Sequence, residues 1–254
     1  MTTTEEGGRM KVDYDKIAPD YDKHRQANGP YMPQLVDLAR KAGARDVLEL
    51  GCGTGRGTQA FVEDYPCRMV ALDLSRGMLE EAREKGLAGV HWVRGSATAI
   101  PLASGFFQFV FGVFFIHHVP DLAGVARECA RVIGRGTAAI VTASTEFIQT
   151  HPMNRYFPSL APMDLARFRT GEEIEAELRG AGFVRTRVGN YKAQPQPIDE
   201  AYVQKVAAKF TSTYELIPPE EFEAGLERLK ADVARKGQLE EGVQWEWTLV
   251  TAKK

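Results

Sequence analysis

From Asp46 onward the chain alternates short apolar runs with amphipathic segments. That alternation predicts a parallel sheet whose strands are joined by crossover helices. Val47 to Leu50 reads as a strand that runs into glycines and then a helix around Thr58 to Glu63. Met69 to Leu72 is a second strand, and Ser75 is the expected N-cap of a helix from Met78 to Lys85 that Gly86 ends. His91 to Val93 and Phe109 to Val113 are the third and fourth strands, Leu122 to Val132 has helical spacing, and Ala138 to Thr142 reads as a buried fifth strand. Thr170-Gly171-Glu172-Glu173 is a capping box opening a helix that stops at Gly182, with a strand near Val184 to Val188 after it. Helices from about Asp199 to Lys209 and Glu220 to Arg235 flank Pro218-Pro219, and Trp245 to Thr251 is an alternating last strand. The fold class is therefore α/β, doubly wound around a mostly parallel seven-stranded sheet. Residues 12–254 read as one domain with its core at about residues 40–144.

Two stretches depart from this rhythm. Thr145 to Arg169 has no clean period but carries Phe147, His151, Met153, Tyr156, Phe157, Met163 and Phe168, too much apolar surface for a free loop. With the helical insertion at 195–241 it is expected to form a lid, in segments of about 145–168 and 195–241. Residues 1–11 are polar and acidic without an apolar run, which predicts a disordered leader and not a signal peptide.

Composition narrows the function. The chain has 254 residues, 44% hydrophobic and 26% charged, enough for one sizeable core. Lysine plus arginine total 32 against 34 acids, a net charge of −2, so no long-range basic field gathers nucleic acid or an anionic membrane. The longest apolar run, Phe106 to Ile116, is interrupted by Gln108 and Gly112 and falls short of the roughly 18 residues a spanning helix needs. No nucleic-acid partner and no membrane insertion are expected; a homodimer stays open. Three unclustered cysteines, Cys52, Cys67 and Cys129, suit a reducing cytoplasm and offer neither a disulfide framework nor a metal cage.

The densest chemistry lies in Val47-Leu48-Glu49-Leu50-Gly51-Cys52-Gly53-Thr54-Gly55-Arg56-Gly57, where glycines let a backbone turn tightly and let a ligand approach the main chain. The spacing is not G-x-G-x-x-G from either Gly51 or Gly53, which weakens a nicotinamide site. With no lysine between Lys41 and Lys85 there is no triphosphate loop either.

This stretch resembles motif I, E/D-x-G-x-G-x-G, of the class I S-adenosylmethionine-dependent methyltransferases, matched by Glu49, Gly51, Gly53 and Gly55. Asp73, twenty-four residues after Glu49 at the end of the next strand, stands where the family places the acid that accepts from both ribose hydroxyls. Gly95-Ser96-Ala97, Pro101-Leu102, Phe106 to Val110, His117-His118-Val119-Pro120-Asp121 and Arg131-Val132-Ile133 follow the family's later motifs. Tyr14-Asp15 through Tyr21-Asp22 resembles the Y-D-x-x-A-x-x-Y-D helix of its small-molecule, type 11-like branch. Two positions depart: Ser96 replaces the usual adenine-binding acid, and Gln108 the usual Asp of the fourth strand.

The resemblance implies a Rossmann-like fold and an S-adenosylmethionine-dependent methyltransferase with no metal. It implies a cofactor site built from Tyr21, Arg25, Glu49, Gly51, Cys52, Gly53, Gly55, Asp73, Leu74, Met78, Ser96, Ala97, Val113 and Phe114. Ser96 has the alternative of capping a turn. The N/D/S-P-P-Y/F/W tetrapeptide used on planar nitrogens is absent after the fourth strand, where Ile116-His117-His118-Val119 stands. A small, partly apolar acceptor, methylated by direct in-line transfer, is therefore the expected substrate, with Phe115, Tyr156, Phe157, Phe210 and Tyr214 lining its pocket. The alternatives are a tRNA or protein methyltransferase, or an inactive cofactor-binding homologue. His118 is the expected general base or orienting group, with His117 as the alternative, since successive rings of a helix point apart and only one is expected to face the site.

Overall fold

The computed structural model describes residues 3–6, 9–23 and 29–254. Where a disordered leader is expected, β1 (Thr3–Glu6) and β2 (Arg9–Val12) pair as an antiparallel hairpin. Then come α1 (Tyr14–Tyr21), capped by the Asp13 carboxylate, and α2 (Met32–Lys41). The alternating unit follows as β3 (Asp46–Leu50), α3 (Arg56–Asp64), β4 (Arg68–Asp73), α4 (Arg76–Glu84), β5 (Val90–Arg94), β6 (Phe107–Val113), α5 (Leu122–Val132) and β7 (Ile133–Ala143). Ser75 caps α4 through the Met78 amide, as its position after a strand predicts.

The irregular stretch after β7 contains two six-residue helices, α6 (Thr145–Thr150) and α7 (Leu160–Leu165), too short to show a period. α8 (Gly171–Gly180) starts at the capping box on Thr170 and Glu173, and β8 (Arg185–Lys192), α9 (Glu200–Ala207), α10 (Pro219–Lys236) and β9 (Glu246–Lys253) complete the chain. Among the described residues no helix is long and apolar enough to cross a membrane.

The seven strands form one sheet in the order β5-β4-β3-β6-β7-β9-β8, parallel except where β9 runs against both neighbours. Alternation along the strands splits the core. Leu48, Leu50, Val110, Ile140 and Val250 face α5 and α8, while Val47, Met69, Phe109, Phe111, Val141 and Leu249 face α2 and α3. Phe61 of α3 stacks on Phe109 and Phe111, with ring centroids 6.2 and 4.8 Å away. A third apolar cluster, built on Met153, Phe157, Val203, Tyr214, Phe222 and Leu229, belongs to the lid segments themselves.

Gln108 explains how the fourth strand does without its usual acid. Its Oε1 accepts from the Arg45 and Asp46 amides at 3.1 and 2.9 Å, so a neutral carbonyl satisfies the entrance of β3. From β3 the chain winds outward through β4 to β5 and then returns from β5 to β6 on the other side of β3, which leaves a crevice at the carboxyl ends of β3 and β6.

Candidate active site

The crevice is built from the ends of three strands. Gly51, Gly53 and Gly55 follow β3, all with left-handed φ of 68, 54 and 78°, and the Gly51 and Cys52 amides both donate to the Leu72 carbonyl of β4. Asp73 then braces the loop, its Oδ2 accepting from the Gly53 amide at 2.8 Å and its Oδ1 from the Ser75 amide at 2.9 Å. Burial pushes the Asp73 carboxyl up, while these amides pull it down. Behind the loop Glu49 is 3% exposed and accepts from Thr58 Oγ1 at 2.5 Å; burial first, and Asp73 in addition, push its carboxyl up to about 8.

The N-terminal helix is tied across this crevice by two carboxylates seven residues apart, hence on one helical face. Asp15 accepts from Ser75 Oγ at 2.5 Å and the Gly77 amide at 2.8 Å. Asp22 gathers Thr54 Oγ1 at 2.5 Å, Arg56 at 3.0 Å and Lys85 at 2.7 Å. On the same helix Tyr14 Oη lies 2.8 Å from His118 Nε2, and Arg56 sits over the Tyr21 ring at 5.7 Å. Asp22 and Asp15 are not among the site residues expected from the sequence, although their spacing carries the signal.

Beyond β6 the crevice widens into a cavity of about 610 Å³ between the sheet edge and the lid. Phe114 turns the chain there with φ of 47°, a left-handed conformation unusual for a bulky residue, and sets its ring edge-on to Tyr31 at 5.5 Å. Phe114, Tyr21, Phe210 and Tyr214 line the cavity, as do His117 and His118 together.

Both histidines face the cavity, where only one is expected from the sequence. The segment is a three-residue 3-10 turn, and Phe168 of the lid stacks on His117 at 4.0 Å, bringing the two imidazoles to 3.8 Å. Enclosure by protein and the Arg167 guanidinium push both histidines down, so both are neutral near pH 7.

Three pocket residues are corrected as well. Phe115 lies beneath the glycine loop in the sheet core, against Gly51 and Gly112, because the turn at Phe114 breaks the strand alternation. Phe157 packs against Tyr214 and Phe222 inside the lid, and Tyr156 donates to Asp232 at 2.9 Å, so neither reaches the cavity.

Of the remaining cofactor candidates, Met78, Cys52 and Ala97 are buried and Val113 packs toward α2. Burial drives the Cys52 thiol well above its ordinary range, which suits packing and not nucleophilic work. Ser96 Oγ lies 2.8 Å from Thr98 Oγ1 and accepts from the Thr98 amide, the turn-capping role open to it. Arg25 lies outside the described residues.

The groove fits S-adenosylmethionine. A side chain at Gly53 would meet nothing within 4 Å, so the loop presents open backbone there. Beside it lie the half-buried Asp73 and the 66% exposed Leu74, a carboxylate for ribose hydroxyls and an apolar surface for a flat base. Tyr21 and Arg56 stand at the cavity end, where the methionine portion would be held.

Known proteins agree with this geometry. Residues 47–136 match the family described as methyltransferase domain. A malonyl-acyl-carrier-protein O-methyltransferase of Enterobacter lignolyticus is 32% identical over 123 residues, 48% of this chain and 48% of its own. A demethylmenaquinone methyltransferase of Listeria welshimeri is 30% identical over 147 residues, 54% of this chain and 62% of its own. The chain thus spans about half to three-fifths of the length of these two curated relatives. A methyltransferase assigned to an antibiotic biosynthesis pathway in Anabaena variabilis shares the fold, with a TM-score of 0.70 at 21% identity over 89% of this chain and 99% of that one. The glycine loop braced by Asp73 and the strand ends that form the crevice fall within residues 47–136, the stretch that matches the methyltransferase-domain family, and the chain shares its fold with the Anabaena methyltransferase.

Proposed function

We propose that this chain transfers a methyl group from S-adenosylmethionine directly to a small, partly apolar acceptor held in the cavity beyond Phe114. The observation that carries this reading is the cavity itself. It is about 610 Å³, within the usual size of small-molecule sites, walled largely by rings and adjoining the braced glycine loop. What the cofactor supplies is an electrophilic methyl group on a sulfonium. The protein's part is alignment and exclusion of water. Tyr14, Tyr31 and Phe114 exclude water on the sheet side, and Phe147, Phe168 and Trp245 on the lid side.

His118 orients the acceptor, and takes its proton where the acceptor is a hydroxyl, with Tyr14 fixing the imidazole. Both relatives' names specify acceptors, and these differ from each other, so the acceptor has to be read from this cavity. A cytoplasmic setting suits three cysteines that are all free.

The test begins with the cofactor. S-adenosylmethionine and its demethylated product should raise the melting temperature, and NAD should not. Asp73→Ala should weaken product binding by about 1–3 kcal/mol in calorimetry, the loss of hydrogen bonds to a charged acceptor. Unchanged affinity removes Asp73 from the site, and no stabilisation by either nucleoside removes the methyltransferase reading.

For the histidines, His118→Asn should lower turnover about tenfold, short of the roughly 100-fold or more of full general-base help, because an imidazole pushed down to about 3 by burial and engaged by Tyr14 at Nε2 is a weak base and acts mainly by orientation. Tyr14→Phe should lose a similar share and His117→Asn less. The reverse order transfers the role to His117.

A further inference from the structure

The charges around the acceptor cavity do not balance. Among the described residues its one lining carboxylate, Asp164, is engaged by Arg167 at 2.7 Å and by Thr213 Oγ1 at 2.7 Å. Its lining arginine, Arg56, is held by Asp22. That leaves Lys205. It sits in the last turn of α9, three residues after Tyr202 and therefore on the same helical face, and both residues line the cavity. Among the described residues no carboxylate is within ion-pair distance of the half-buried Lys205 ammonium. The walls are otherwise rings: His117 stacked on Phe168 within 14° of parallel, Phe147 beside Trp245 at 5.1 Å, and Tyr31 against Phe114. Tyr202 Oη and His117 Nδ1 are buried without a partner on rings that line the cavity, and buried polar atoms seldom stay unpaired.

We infer that the acceptor is a planar aromatic compound bearing a carboxylate, which Lys205 receives while the ring plane lies among the cavity's aromatic side chains. The inference rests on reading this cavity as the acceptor site. A cationic amine entering the same space would lose its water without gaining a free carboxylate, because breaking Asp164 away from Arg167 strands a guanidinium in its place. An anion meets an ammonium that already lacks a partner, and its planar body meets rings in offset and edge-on arrangements. Burial chiefly keeps both histidines neutral, and the Arg167 guanidinium, which lowers them further, adds positive potential on the same side. Neutral imidazoles and phenols supply the remaining hydrogen bonds without adding charge.

The experiment is a calorimetric comparison of three probes of one shape, 2-naphthoate, 2-naphthamide and 2-naphthylmethylammonium, on protein first titrated with S-adenosylhomocysteine. The naphthoate should bind about tenfold more tightly than the amide, as expected for one partly desolvated ion pair, and the ammonium more weakly than both. Lys205→Met keeps the apolar stem and should bring naphthoate to the level of the amide while leaving amide binding unchanged. Ammonium binding equal to or tighter than naphthoate overturns the inference, and so does a naphthoate preference that survives Lys205→Met. Failure of all three probes on protein that binds S-adenosylhomocysteine also overturns it. If naphthoate binds in a Lys205-dependent way but S-adenosylhomocysteine does not bind at all, the methyltransferase reading fails and the aromatic-acid site stands.

Discussion

Gly51→Ala should cost the protein most of its stability, whereas Gly53→Ala should leave it folded and unable to hold the cofactor. The two glycines share a left-handed backbone, with φ of 68 and 54°, so each alanine carries the same conformational cost of about 1–2 kcal/mol. What differs is the space around them. A Cβ on Gly51 would lie 2.4 Å from Phe115 Cβ, and the Phe115 ring is already wedged against Gly112, so it has nowhere to move. Overpacking of that kind adds about 1–3 kcal/mol, and the sum is a large fraction of a domain's ordinary stability. At Gly53 nothing lies within 4 Å, so the methyl group meets open space on the loop that Asp73 braces.

Urea denaturation with and without S-adenosylhomocysteine separates the two cases. The Gly51 variant should unfold at much lower urea, and the Gly53 variant should unfold near the wild-type midpoint but lose its stabilisation by ligand. A Gly53 variant that keeps the full ligand effect would mean that the open side of the loop does not face the cofactor.

The contrast also marks how far the amino-acid sequence could be read. Strand alternation announced the sheet from Val47 to Val141, and every expected strand is present within a few residues, because each apolar run is bounded by glycine, proline or a capping residue. The glycine spacing and Asp73 identified the cofactor half, since strand, loop, helix and strand follow one another locally.

The acceptor half is assembled from elements more than a hundred residues apart, and its legibility drops accordingly. Apolar content correctly marked 145–168 as buried but carried no information on what it is buried against, so Tyr156 and Phe157 went to the cavity when they belong to the lid's own core. Phe115 was misplaced by a single unusual φ at Phe114 that no neighbouring residue type announces. α2 escaped notice, although Met32, Leu35, Val36 and Ala39 keep helical spacing and cover one face of the sheet. Lys205 and Tyr202 carry an i, i+3 signal, yet only the pairing of Asp164 with Arg167 gives the lysine its meaning.

Glu49→Gln should make the ligand-free protein more stable at pH 8 and scarcely change it near pH 4.5. Glu49 has a carboxyl pushed up to about 8 against an ordinary value of 4.5. Between those limits the folded protein holds a proton that the unfolded chain has released, so stability falls as pH rises through this window. Each unit of separation is worth about 1.4 kcal/mol, and the whole window corresponds to as much as about 4–5 kcal/mol.

Glutamine reproduces the protonated form. It can still accept from Thr58 Oγ1, and its amide occupies the same volume under Gly57, but it has no charge to bury. The wild type should therefore lose stability between pH 5 and 8 relative to the variant, in denaturant titrations at several pH values, with Thr58→Val as the companion that removes the single polar contact lowering the Glu49 carboxyl. Parallel pH profiles for wild type and Glu49→Gln would show that Glu49 ionises as an ordinary carboxylate behind the loop. Bound S-adenosylmethionine brings positive charge to the same loop, and charge of that sign favours the ionised carboxylate. Cofactor should thus recover in the wild type the stability that rising pH removes, and recover less in Glu49→Gln, where no proton is available to leave.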